Sequence, residues 1–162
     1  MSTKMPVNLT INGETFNVEV EPRWLLSDVI RHQVGLIGTH VGCEQGVCGA
    51  CTVLIDGKPE RSCLIFAVQA QGHQITTVEG LTQNKPDLTP LQQAFQNHHA
   101  LQCGYCTPGM LLTATALLET EPHPNEHRIR EALSGNVCRC TGYQFIVDAI
   151  LEAAGDSKEA SR

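Results

Sequence analysis

Eight cysteines fall into two groups of four along 162 residues, and their spacing constrains this chain more than any hydrophobic pattern does. Cys43, Cys48 and Cys51 read C-x4-C-x2-C, and Cys63 follows after eleven intervening residues; Cys103 and Cys106 form a C-x2-C pair, Cys138 and Cys140 a C-x-C pair. The first spacing is compatible with plant-type [2Fe-2S] ligation. Three thiolates within nine residues let one loop wrap the irons while a later strand supplies the fourth ligand. Gly42, Gly46 and Gly49 lie beside or between these ligands, where a missing side chain permits unusual dihedrals and lets backbone amides approach sulfur.

The second group admits two chemistries. Four thiolates can hold structural zinc, but zinc sites favour C-x2-4-C pairs and the C-x-C pair is less typical of them, so the spacing favours a second iron–sulfur centre with zinc as the competing reading. Disulfides are the third use of cysteine. Against them, the run from Met1 to Val7 has no apolar export segment and the spacings are those of metal ligands. No run approaches the roughly eighteen apolar residues of a membrane span, so the expectation is a soluble, cytoplasmic protein with no transmembrane segment. The formal charge of −6 would grow by roughly −2 for each oxidised four-thiolate cluster. Lysine and arginine are few and scattered, which argues against a nucleic-acid partner and leaves protein partners open.

Two halves of different character carry the two groups. In the first, Val7, Leu9 and Ile11 alternate before Asn12-Gly13, and Phe16, Val18 and Val20 alternate after it, a hairpin pattern. Leu25, Leu26, Val29 and Ile30 make one helical stripe after Pro22, with Gly35 as its stop. Thr52 to Ile55, ended by Asp56-Gly57, and Ile75 to Val78, ended by Gly80, read as further strands of a small ubiquitin-like roll. A polar stretch from Thr82 to Asp87 reads as a linker. Four short helices then follow. Thr89-Pro90 and Thr107-Pro108 read as caps of the first two, Asn125 opens the third, which ends near Gly135, and Phe145, Ile146, Ala149, Ile150 and Ala153 form the face of a fourth, closed by Gly155. Such short helices must pack together or against the first half. The second group of cysteines sits at the breaks between them, where free helix-end amides can surround a buried centre.

Other side chains carry weaker signals. His40, His98 and His99 read as loop or helix-surface histidines, not ligands; Tyr105 and Tyr143 read as space-filling residues that hydrogen-bond at an interface. No Ser/His/acid constellation, G-x-G-x-x-G signature or P-loop appears, so no catalytic residue is assigned and the chain is not expected to bind flavin or nucleotide by itself.

Three runs together carry a family resemblance: Gly42-Cys43-Glu44-Gln45-Gly46-Val47-Cys48-Gly49-Ala50-Cys51-Thr52-Val53, then Gln102-Cys103-Gly104-Tyr105-Cys106-Thr107-Pro108-Gly109, then Leu133-Ser134-Gly135-Asn136-Val137-Cys138-Arg139-Cys140-Thr141-Gly142-Tyr143. In order and separation they resemble the small iron–sulfur subunits of the xanthine dehydrogenase family of molybdenum hydroxylases, over nearly the whole chain. His40 stands where that family commonly has lysine, and Glu121 where asparagine commonly precedes Pro-x-Pro.

The resemblance implies an α+β chain: a plant-type ferredoxin-like β-grasp domain over residues 1–81, a four-helix [2Fe-2S]-binding domain over 82–155, and a polar tail over 156–162. It implies two [2Fe-2S] clusters, a flavin-side one on Cys43, Cys48, Cys51 and Cys63 and a molybdenum-side one on Cys103, Cys106, Cys138 and Cys140. Gln102 and Cys140 match positions that approach the molybdopterin cofactor of a large catalytic subunit, and a medium subunit carries FAD. The implied role is electron transfer from molybdopterin to FAD, with substrate chosen by the large subunit. The alternatives are the same role in a flavin-free complex that delivers electrons to a cytochrome, and a non-enzymatic zinc-binding interaction module.

Overall fold

The computed structural model describes residues 3–82 and 87–156. Most of the expected linker, and the expected polar tail beyond Asp156, lie outside the described residues.

The hairpin forms as its alternation demands. β1 (Met5–Ile11) pairs antiparallel with β2 (Glu14–Val20) from Met5↔Val20 to Ile11↔Glu14. Asn12 and Gly13 close it at φ of 53° and 82°, the left-handed geometry that a two-residue hairpin turn requires. β3 (Thr52–Ile55) and β4 (Lys58–Arg61) form a second hairpin around Asp56-Gly57, and β5 (Gln74–Thr76) lies between the two, parallel to β1 and antiparallel to β3. The order β2-β1-β5-β3-β4 is a mixed five-stranded sheet. Its inner face, with Val7, Leu9, Ile11, Val53 and Ile75, is covered by Leu26, Val29 and Ile30. This is the β-grasp arrangement.

Two details differ from the sequence reading. The helix over the sheet is α-helical only as α1 (Leu26–Asp28) and then widens into a π-helical turn at Val29–Val34. Gly35, at φ 85°, turns the chain back so that its own amide and that of Leu36 both reach the Ile30 carbonyl. The strand expected from Ile75 to Val78 stops at Thr76. Thr77 there exchanges hydrogen bonds with the Asn12 side chain, through its amide and its hydroxyl, and the chain coils into a 3-10 turn at Val78–Thr82.

The second half is the expected set of four helices. α2 (Pro90–Asn97) opens with a capping box between Thr89 and Gln92, and α4 (Glu126–Ala132) opens on Asn125, whose side chain accepts the Arg128 amide. α3 (Thr107–Thr120) departs from expectation at its start. Its N-cap is Cys106, and Thr107 lies within the first turn, its hydroxyl without a partner, so Thr107 does not cap. α5 (Gln144–Asp156) runs through Gly155 and buries Ile146, Ala149, Ile150 and Ala153, while Phe145 points outward at 49% exposure.

α3 joins the halves. Met110, Leu111, Ala114 and Leu117 face the helical core, and Leu112 and Ala116 pack on Leu54 of β3. A helix buried on both sides cannot be amphipathic, which is why its sequence is apolar nearly all round. Leu112→Ala should therefore lower stability by about 2–5 kcal/mol in urea unfolding of the cluster-loaded chain. A loss below about 1 kcal/mol would mean that the contact between the halves lies outside the cooperative unit.

Candidate iron–sulfur centres and the seam between them

The first group of cysteines sits in the irregular loop ahead of β3 and in the 3-10 turn Ser62–Leu64 that follows β4. The loop is shaped to present amides to sulfur. The amides of Gln45 and Cys48 both point at Cys43 Sγ, at 3.4 Å. Those of Cys48 and Gln45, in that order, pull the Cys43 thiol down to about 6, toward the thiolate that metal binding requires. Cys51 and Cys63 are buried, and burial with Cys51 alongside pushes the Cys63 thiol up to about 11. A metal reverses that by supplying the opposite charge.

The second group is assembled from two breaks in the helical half, one before α3 and one between α4 and α5. Cys103 and Cys140 are exposed with their sulfurs 3.5 Å apart, Cys138 is buried, and Cys106 is partly covered. Burial pushes the Cys106 thiol up to about 12, helped by Cys138. Burial also opposes ionisation of Cys138, but the hydroxyl and amide of Thr141 and the amide of Cys140 outweigh it and bring that thiol down.

All eight cysteines are free thiols, and within each group the sulfurs pair two by two. The Cys103 and Cys140 sulfurs lie 3.5 Å apart, and the ionisation of Cys43 is linked to Cys48, that of Cys63 to Cys51 and that of Cys106 to Cys138. The pairs of one group also repel each other electrostatically, Cys63 feeling Cys43 and Cys106 feeling Cys103. Two thiolates for each of two neighbouring irons is the donor set of a [2Fe-2S] cluster. The residues thus suit one [2Fe-2S] cluster per group.

The two groups meet along a seam that the sequence reading did not find. The Val137 amide donates to the Cys48 carbonyl at 2.8 Å, joining the first group to the neighbour of a cysteine of the second. Beside it, the Asn136 side-chain amide donates to the Gly49 carbonyl at 3.1 Å, and Arg61 donates to the Gly135 carbonyl at 2.7 Å. Gly49 and Gly109 are required here. A Cβ on Gly49 would overlap the Gly135 carbonyl oxygen and one on Gly109 the Gly49 carbonyl oxygen, and Gly49 is at φ 72° besides. The only advance signal was that Gly49, Gly109 and Asn136 fall inside the three cysteine runs.

The other singled-out residues take supporting places. His40 stacks on Tyr105 with ring centroids 4.6 Å apart, and the Tyr105 hydroxyl donates to the Val41 carbonyl. Tyr143 accepts the Cys138 amide on its hydroxyl at 2.8 Å. Both tyrosines therefore brace cysteine loops. His98 pairs with Glu152 between α2 and α5, and His99 occupies the left-handed region at φ 51° after α2. Gln102 is exposed next to Cys103. Among the described residues no helix is long and apolar enough to cross a membrane.

Comparison with known proteins matches both halves. Residues 9–82 match the family described as "2Fe-2S iron-sulfur cluster binding domain" and residues 77–151 the family described as "[2Fe-2S] binding domain", which decides the second half against zinc. The nicotine 6-hydroxylase small subunit of Paenarthrobacter nicotinovorans is 51% identical over 154 residues, covering 95% of this chain and 92% of that protein. The caffeine dehydrogenase subunit gamma of Pseudomonas sp. (strain CBB1) is 53% identical over 147 residues, covering 89% and 87%. The crystal structure of quinoline 2-oxidoreductase from Pseudomonas putida 86 contains a chain that superposes with a TM-score of 0.92 at 52% identity, covering 98% of this chain and 99% of that one. The eight-cysteine pattern, the two matched halves and relatives of similar length agree: this chain belongs to the xanthine dehydrogenase family of molybdenum hydroxylases, as one of its small, non-catalytic electron-transfer subunits with two [2Fe-2S]-binding domains.

Proposed function

We propose that this chain relays single electrons from a molybdopterin centre in a large catalytic subunit to FAD in a medium subunit, within a cytoplasmic complex. Cys103, Cys106, Cys138 and Cys140 hold the molybdenum-side [2Fe-2S] cluster, in a domain of residues 82–155. Cys43, Cys48, Cys51 and Cys63 hold the flavin-side one, in a domain of residues 1–81. The observation that supports the reading is the Val137-to-Cys48 hydrogen bond, which sets the backbone next to Cys138 against a cysteine of the first group. Once bound, the clusters supply reversible one-electron chemistry.

The chain's own residues hold, orient and cover. Cys43 lies under amides that favour its thiolate, and Cys51 and Cys63 lie out of water. Each group also has an exposed rim suited to a partner. Around the second are Gln102, Cys103 and Cys140, with Leu101, Tyr105 and Val137 at 41%, 47% and 50% exposure. Around the first are Val47 and Leu64, at 65% and 59%, Leu64 lying against Gly46. Apolar side chains so gathered mark surfaces that another chain covers. The direction rests on the family resemblance, in which Gln102 and Cys140 face the pterin.

The holo-chain should contain about four iron and four labile sulfide per polypeptide. Cys48→Ala should abolish the flavin-side centre and electron delivery to the terminal acceptor, while substrate still reduces the molybdenum-side centre. If substrate reduces no centre in that variant, the order is wrong.

Purification from the native host should recover the chain with a large molybdopterin-binding subunit and a medium FAD-binding subunit. Recovery as a lone, fully loaded monomer would defeat the subunit arrangement. A cytochrome in place of the flavin subunit would keep the relay and replace its acceptor.

A further inference from the structure

Asn136 is 2% exposed, in the two-residue strip between the 3-10 turn after α4 and Cys138. A buried asparagine is costly unless its amide is bonded, and this one uses three of its four hydrogen-bonding sites. Its Nδ2 donates to the Gly49 carbonyl at 3.1 Å and to Thr52 Oγ1 at 3.3 Å, and its Oδ1 accepts from Thr113 Oγ1 at 3.0 Å. Those partners belong to three different parts of the molecule: the loop of the first cysteine group, strand β3 and helix α3. The backbone of Asn136 leads directly through Val137, bonded to Cys48, into Cys138.

We propose that Asn136 is a positioning residue that sets the separation and relative orientation of the two cysteine groups. Rotation of the second group about the Val137–Cys48 bond would break its bonds to Gly49 and Thr52, and sliding along α3 would break its bond to Thr113. Its geometry leaves little room for a substitute. A carboxylate at this position has no proton to give the Gly49 carbonyl. Glutamine carries the amide one methylene further in a site where Asn136 is already buried and bonded on three sides. Thr52 is oriented from its other side by Arg61, which donates to Thr52 Oγ1 at 2.8 Å, so the whole seam is pinned.

The inference rests on the ligand assignment above, and its test separates the two. The intact complex is prepared as wild type, Asn136→Ala, Thr113→Val and Thr113→Ser. Iron is counted, and the electron paramagnetic resonance spectrum is recorded with both clusters reduced, where spin–spin splitting reports their separation and orientation. The expected result is a full complement of about four irons per chain throughout, with the splitting lost or altered in Asn136→Ala and Thr113→Val and preserved in Thr113→Ser. An unchanged splitting in iron-replete Asn136→Ala and Thr113→Val would overturn the proposal. So would loss of iron in both with Thr113→Ser normal, which would make Asn136 a folding residue only. A wild-type complex short of iron would bring down the ligand assignment, and this proposal with it.

Discussion

The arrangement of the whole chain depends on how closely the backbone at Cys48 and Gly49 can approach α3 and the strip from Gly135 to Val137. Two separate cores, one sheet-and-helix and one all-helical, could pack in many relative poses. The pose adopted is one in which peptide groups touch with no side chain between them, at Gly49, Gly109 and Gly135. Three of the bonds across this approach use backbone carbonyls as acceptors, those of Cys48, Gly49 and Gly135. Backbone acceptors are present whatever the residue, and the missing Cβ atoms at Gly49 and Gly109 let the chain come close enough to use them.

α3 makes that approach possible from the other side. Its N-terminus carries Cys106, its first turn carries Gly109, and its middle carries Leu112 and Thr113, so one helix touches the second cysteine group, the seam and the sheet in succession. The helix thus starts at a cysteine of the second group, spaces the two halves and fills the core at once.

Much of this was legible in the sequence, because much of it is local. The Asn12-Gly13 turn, the Thr89 and Asn125 caps and the C-x4-C-x2-C, C-x2-C and C-x-C runs each depend on residues a few positions apart, where spacing has a direct geometric meaning. The order of the strands does not. β5 inserts between β1 and β3 through contacts more than sixty residues apart in the case of Asn12 and Thr77, and no pattern in three residues of strand predicts that. Thr107-Pro108 misled for a related reason. It has the composition of a cap, but Cys106 occupies the capping position and Thr107 is carried into the helix. The pairing of sulfurs, Cys43 with Cys48 and Cys103 with Cys140, was likewise invisible, since spacing says which cysteines share a site and not which lie side by side. Asn136 carried no signal beyond its place in the third cysteine run, because its three side-chain partners lie 23, 84 and 87 residues away.

The two cysteine groups also differ in the length of chain that must close to form them. Cys43 and Cys48 are five residues apart, and their approach needs only the loop they sit in. Cys103 and Cys140 are 37 residues apart, with α3 and α4 between them. For a flexible chain the longer closure costs about 2 kcal/mol more entropy than the shorter. Packed helices remove that cost in advance, because α3 and α4 shorten the intervening path and fix its ends before the sulfurs meet. The first group is in this sense a property of one loop, and the second is a product of tertiary structure: unravelling α4 would disperse Cys103 and Cys140 while leaving Cys43, Cys48 and Cys51 close together.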